Sequence, residues 1–332
     1  MREKRLPFLG GELVVRLRKE HAQRIRQTLP YRLLLGPVIR RLKQRNNNNG
    51  LDSGDSSALD LAAEKQAVPV FLPRPEQLPQ ETSAQRSIVE RVSQRQWYHT
   101  IDLGNGILTP GFYDHTPALD HFPLPRDLSG KRCLDVASFD GFWAFEMERR
   151  GATEVVALDI GSWADLDLPP YYKPQLLERV GTEVSTGRGF KLAAEVLKSR
   201  VERRICNIYD LSPEVFGQFD IVFCSDILIH ITNPLRAIQN IYAVTKGEAI
   251  FMEPYLPGSV EQDAVAVLYA NLEDCHWWAF GKGYLAKAAR ASGFSFTEIY
   301  ADVDIRMRTL PTIPAPRIIL RALKEAPVAA IR

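Results

Sequence analysis

From Lys131 onward the chain alternates short apolar strands with amphipathic helices, and this constrains its fold more than any other feature. In order the segments read CLDVAS (strand), FWAFEMERRG (helix), EVVALDI (strand), GFKLAAEVLKSR (helix), VERRICNI and FDIVFCSD (strands), PLRAIQNIYAVTK (helix), EAIFMEPY (strand), GYLAKAARASG (helix) and FSFTEIYA (strand). Strands alternating with helices of this length form βαβ units around a mostly parallel sheet. Several strands are unbroken apolar runs, the pattern of strands covered by helices on both faces. The predicted fold is a doubly wound, mostly parallel Rossmann-like α/β sheet over residues 131–310. With 332 residues, 45% of them hydrophobic, the chain can bury a large core without covalent staples.

The flanks differ in character. Residues 1–45 hold thirteen Lys/Arg and three Glu, which makes them +10 in a chain of net charge +2 and leaves −8 for the rest. Residues 11–28 and 31–45 read as basic helical stretches broken near Pro30, so residues 1–50 form a basic helical arm. Such an arm suits nucleic acid, an anionic membrane or an acidic partner, or is a solvated charged face. Residues 51–85 read as a flexible Pro/Ser/Asp-rich linker, with a helix resuming from Ser83 to Gln96. Residues 86–130 read as an N-terminal cap of the catalytic domain, and 311–332 as a C-terminal tail. The N-terminus lacks the apolar core of a signal peptide, and no apolar run approaches the roughly 20 residues that span a bilayer. Four cysteines (Cys133, Cys206, Cys224, Cys275) show no CxxC spacing. Buried thiols in a reducing cytoplasm are expected, and zinc fits their spacing poorly.

On a sheet of this kind ligands bind beyond the carboxyl ends of the strands. Past the first strand lie Ala137-Ser138-Phe139-Asp140-Gly141, opening a helix at Phe142. The second ends at Asp159, twenty-four residues after Asp135, where an acid can hold a ribose diol. Past the third lie Asn207 and Ile208, and past the fourth Ser225, Asp226 and His230. The dinucleotide fingerprint GxGxxG is absent, for only Gly141 falls in its turn. A pyrophosphate needs those glycines for close backbone approach, whereas an adenosyl ligand carrying an amino acid does not. The pattern favours S-adenosylmethionine over a nicotinamide dinucleotide.

The stretch LDVASFDGFWAFEMERRGATEVVALDI resembles motifs I and II of class I S-adenosylmethionine-dependent methyltransferases, and FDIVFCSDILIHITNPLRAIQNI resembles their fourth-strand motif. WYHTIDLGNGILTPG (97–111) and HWWAFGKGYLAKAARASGF (276–294) resemble the family related to tRNA wobble-uridine 5-oxyacetate methyl- and carboxymethyltransferases. The resemblance covers about 90–310. It implies that Asp135, Ala137, Ser138, Asp140 and Gly141 face the donor's methionine moiety. It also implies that Asp159 holds the ribose, with Ile160 beside the adenine, Asn207 and Ile208 at the adenine edge, and Ser225 beside the donor. The chain departs from the family at Ala137 and Phe139, where Gly is common. Alanine there implies a turn with negative φ or slight crowding. In the carboxymethylating branch a Lys and a Tyr hold the donor's extra carboxylate. The matching positions are His99 and Ile229, and isoleucine donates no hydrogen bond, so the plain methyl donor is expected.

For the acceptor, the implied activity is O-methylation of a hydroxyl, on a tRNA wobble uridine or on a small metabolite or glycan. A chain that binds the donor without catalysis is a third reading. A hydroxyl acceptor needs a base, and His230, His99 and Asp226 are the candidates. Trp97, Tyr98, Trp277 and Trp278 are candidates to stack on the substrate, or else to pack in the core. Asp114, His115, Asp120 and His121 are ligand types at spacings that match no compact metal site, and no metal is expected.

Overall fold

The computed structural model describes residues 2–8, 11–17, 83–180, 186–256, 258–268, 275–308 and 315–325. Strands β1 (Arg2–Phe8) and β2 (Gly11–Leu17) form an antiparallel hairpin, pairing Phe8 with Gly11 across a two-residue connection. The helix expected over 11–28 is thus replaced by strand through residue 17. The β-branched Val14 and Val15 favour that state. The stretch 31–45 and most of the expected linker lie outside the described residues.

The body is built on a seven-stranded sheet of order β10-β11-β7-β6-β3-β4-β5. Its strands are β3 (Arg132–Val136), β4 (Glu154–Asp159), β5 (Glu202–Ile205), β6 (Phe219–Ser225), β7 (Thr245–Pro254), β10 (Phe296–Asp304) and β11 (Pro316–Leu323). Five strands run parallel, while β11 pairs antiparallel with both β7 and β10. A short ribbon of β8 (Ala266–Leu268) and β9 (Trp278–Phe280) stands apart from it. Segment 311–332, expected as a tail, therefore supplies an interior strand. Ile318, Ile319 and Leu320 are fully or almost fully buried in it.

Period-two alternation divides the sheet's side chains between two cores. Cys133, Ala157, Ile221, Phe223, Ile250, Met252 and Ile319 face one side, against Trp143 of helix α2 and Phe190 of helix α4. Leu134, Val136, Val156, Leu158, Val222, Cys224, Phe251, Ile318 and Leu320 face the other, against Ile238 and Ile241 of α6 and Leu285 of α7. These helices are α2 (Phe142–Arg149), α4 (Arg188–Leu197), α6 (Pro234–Val244) and α7 (Tyr284–Ser292); α1 (Ser83–Ser93), α3 (Lys173–Val180) and α5 (Pro213–Phe216) complete the set. At one edge, β5 carries the charged run Glu-Arg-Arg, which discourages pairing with another chain. No helix among the described residues is long and apolar enough to cross a membrane.

Candidate active site

A cavity opens at the carboxyl ends of β3, β4 and β6. It is lined by Ala137, Ser138 and Phe139 after β3, Asp159 and Ile160 at β4, and Ser225, Asp226 and Ile227 at β6. Tyr98 and His99 wall it from the N-terminal segment, and His230 and Cys275 from the far loops. Trp143, Trp163, Leu166, Leu168 and Thr186 complete the lining. Motif reading did not anticipate these five. The signal available was an apolar cluster, Trp163-Ala-Asp-Leu166-Asp-Leu168, placed just after the second strand.

The turn after β3 is backbone-strained. Ala137 has φ 60° and Phe139 φ 49°, both left-handed, and Gly141 follows at φ 92°. The expectation of negative φ at Ala137 is overturned, because the turn keeps its left-handed geometry where glycine is missing. That costs roughly 1–2 kcal/mol per residue for an L-amino acid. Gly141 is required for packing: an added Cβ would stand 2.5 Å from the Phe190 ring and 2.7 Å from Phe145.

Asp159 sits in the cavity wall, almost buried. Its Oδ2 accepts the Phe139 N–H at 3.0 Å, its Oδ1 accepts the Ile160 N–H at 2.8 Å, and the Arg203 guanidinium lies 3.8 Å away. Burial raises its pKa to about 6, against the lowering pull of Arg203 and the two N–H groups. Two buried polar atoms in the same lining, Ser138 Oγ and Trp143 Nε1, have no hydrogen-bond partner among the described residues. Native interiors rarely leave such groups unpaired.

Asp140 does not reach the cavity. Its Oδ2 accepts the backbone N–H groups of Tyr98 (2.7 Å) and His99 (2.8 Å), and its Oδ1 meets His99 Nδ1 in a short hydrogen bond. Its carboxylate is thus spent on fixing the Tyr98-His99 wall and orienting the imidazole. The His99 ring stacks on Phe142, with centroids 5.4 Å apart. Asp226, left-handed at φ 50°, accepts the Tyr98 hydroxyl at 3.0 Å on Oδ2 and the buried Arg317 Nε at 2.8 Å on Oδ1. Neighbouring Glu253 is fully buried, and its Oε1 accepts the Ile227 and Leu228 N–H groups at 2.9 and 2.8 Å. Burial, with the Asp226 charge beside it, pushes the Glu253 carboxyl up. Arg317 and Glu253 were not singled out in the sequence, since contacts across 91 residues (Arg317 to Asp226) and 26 residues (Glu253 to Ile227) leave no local pattern.

The cavity therefore gathers Ala137, Ser138, Asp159, Ile160, Ser225, Tyr98, His99, Asp226 and His230. Other expected contacts fall elsewhere. Asp135 turns back to accept the Ala144 N–H at 3.0 Å, bracing α2, and burial pushes its carboxyl up strongly. Asn207 accepts the Tyr209 N–H at 3.0 Å, and Ile208 is buried in the core. Trp97 is buried with its Nε1 on the Val92 carbonyl at 3.0 Å. Trp277 and Trp278 donate to the Asp167 and Ile231 carbonyls at 2.6 and 3.0 Å, outside the lining. Ile229 is a core residue outside the lining.

Among curated relatives, a tRNA U34 carboxymethyltransferase of Campylobacter hominis is 25% identical over 128 residues, 38% of this chain and 37% of that protein. A ubiquinone biosynthesis O-methyltransferase of Xanthomonas oryzae pv. oryzae is 31% identical over 121 residues, 36% of this chain and 41% of that protein. The matches thus span about two fifths of those relatives' length. Among solved structures, the N-terminal domain of EvdMO1 with SAH bound is similar at a TM-score of 0.47 and 17% identity, covering 72% of this chain and 97% of that one. The sequence model described as a methyltransferase domain matches residues 115–299, more than half of the 332 residues, and the chain belongs to that family.

Proposed function

We propose that the chain is an S-adenosylmethionine-dependent methyltransferase acting on a hydroxyl of its acceptor. The observation that carries this reading is one shared cavity. A strand-end carboxyl (Asp159) and an aspartate-backed imidazole (His99) line the same space. The residues fit the donor: Ser138 Oγ and Trp143 Nε1 lack partners there among the described residues, and each Asp159 oxygen keeps a lone pair beyond its N–H contact. Asp159 would hold the ribose diol, Ser138 the amino-acid end, and Phe139 and Ile160 the adenosyl faces. When bound, S-adenosylmethionine supplies an electron-poor methyl carbon on its sulfonium.

Among the three candidate bases, His99 is the one built for the task. A proton on Nδ1 donated to Asp140 would leave the lone pair on Nε2, the arrangement that orients a general base. Asp226 already carries Arg317 and the Tyr98 hydroxyl, so it positions Tyr98. Alignment of the acceptor in a walled cavity supplies much of the remaining rate.

The 31% identical relative is named as an O-methyltransferase, which supports oxygen as the nucleophile. The basic N-terminal segment favours RNA as a second reading of the acceptor. Labelled methyl transfer into fractionated RNA and into small-molecule extract separates the two. Absence of SAH binding by calorimetry would overturn the proposal.

A further inference from the structure

We propose that His230, Cys275 and His276 form a binding site for a divalent transition-metal ion, with zinc as the best fit. One ligand atom from each side chain lies within 4.8 Å of the others. In a tetrahedral zinc site such atoms stand about 3.3–3.6 Å apart, so the three side chains need only draw in by about 1 Å. Two imidazoles and a thiolate form a borderline-soft set, which suits zinc and excludes magnesium or calcium.

The arrangement is held together before any ion arrives. His230 ends the turn Leu228–His230 after β6, and Cys275-His276 lead into β9, 45 residues later. The Trp277 N–H donates to the Ile229 carbonyl at 2.8 Å, and Trp278 Nε1 to the Ile231 carbonyl at 3.0 Å. A third anchor, Trp277 Nε1 on the Asp167 carbonyl at 2.6 Å, ties the same segment to the loop that lends Leu166 and Leu168 to the cavity. The two indoles, offered by the sequence as stacking platforms, thus clamp one pair of ligand types against the third. His230 Nδ1 lies 3.3 Å from the Cys275 carbonyl. A proton donated there puts the lone pair on Nε2, and a backbone carbonyl is a common outer partner of a metal-binding histidine. Three protein ligands leave a tetrahedral ion one open position. His230 and Cys275 line the cavity described above, so an ion here borders it.

The competing account is packing, since Cys275 is buried with Leu168, Tyr172 and Leu176. Tag-free full-length protein, stripped with a chelator, separates the two. Titration with zinc alone should show one ion bound per chain. Cobalt in its place should give a thiolate-to-cobalt charge-transfer band and tetrahedral d–d intensity. Cys275→Ser should abolish the charge-transfer band. His276→Ala should weaken zinc binding by more than the roughly ten- to hundredfold that removal of an outer partner costs. Thermal melts check that both variants fold, and the wild-type cobalt spectrum decides the matter if they do not. Wild-type protein that binds zinc no tighter than Cys275→Ser, or cobalt without a thiolate band, overturns the site. SAH calorimetry on the same stripped protein tests the methyl-transfer proposal separately, because the residues assigned to the donor (Asp159, Ser138, Phe139 and Ile160) are not among the three ligands.

Discussion

Asp159 is held where ionisation works against burial, and two consequences follow. Its folded pKa of about 6 lies above its ordinary 3.8. The stability it contributes is complete below pH 3.8 and is lost as pH rises through about 6. Hydroxyl donors prefer the ionised form, so SAH affinity should rise with pH through the same window and level off above it. Calorimetry in buffers of different ionisation enthalpy should detect a proton released on binding near pH 6. Asp159→Asn should lower SAH affinity by about 1.5–3 kcal/mol, the worth of a charged hydrogen bond. That is roughly ten- to hundredfold. His99→Gln should reduce kcat by about 10²–10⁴, the usual contribution of a positioned base, with a much smaller change in SAH affinity. At Ala137, glycine relieves about 1–2 kcal/mol of left-handed strain and adds about 0.4–1 kcal/mol of unfolded-chain entropy. Ala137→Gly should therefore leave stability unchanged or raise it, by up to about 1.5 kcal/mol on a denaturant curve.

At the scale of elements, the end of β7 organises the turn after β6. Glu253 Oε1 accepts two successive N–H groups from Ile227 and Leu228. Burial favours its neutral form, and an amide oxygen can accept the same pair. Glu253→Gln should stay within about 1 kcal/mol of wild type, the size of one ordinary hydrogen bond. It should also abolish the stability loss that Glu253 causes as pH rises through its elevated pKa. Glu253→Leu leaves both N–H groups buried and unpaired, at about 1–3 kcal/mol each. Equal melting curves for the two variants would refute this. The strand-helix alternation and the acids and histidines at strand ends were legible in the sequence because they are local in the chain. What escaped was nonlocal. Asp140 sits in the turn expected to hold donor, and only folding shows the Tyr98-His99 segment claiming it from 41 residues away. Arg317 lies in a proline-bearing segment (Pro311, Pro314, Pro316) that was expected as a tail. The run Ile318-Ile319-Leu320 behind them was the overlooked mark of a strand buried on both faces.

For the whole molecule, the two ends of the chain should behave in opposite ways. The hairpin strands β1 and β2 pair with each other and with no strand of the main sheet. The described lining of the cavity runs from Tyr98 to Cys275, all beyond residue 50. Deleting them should leave a folded protein that binds SAH. If the acceptor is RNA, the salt slope of log affinity should flatten by roughly 0.7–0.9 for each lost phosphate contact. Deleting 311–332 should abolish folding, because it removes a strand from between β7 and β10 together with the Arg317 that neutralises Asp226. A soluble, cooperatively melting protein ending at residue 310 would contradict that.

The position of β11 also bears on how the protein is made. Synthesis runs in one direction, and β11 leaves the ribosome after every other strand of its sheet. Until it does, β7 exposes a full edge of unpaired backbone groups, flanked by the apolar run Ala249-Ile250-Phe251-Met252. Such an edge is a template for pairing with another nascent chain. The period between translation of residue 254 and release of residue 323 is therefore the molecule's most aggregation-prone interval, and slow translation of that stretch should lower soluble yield without changing the native state.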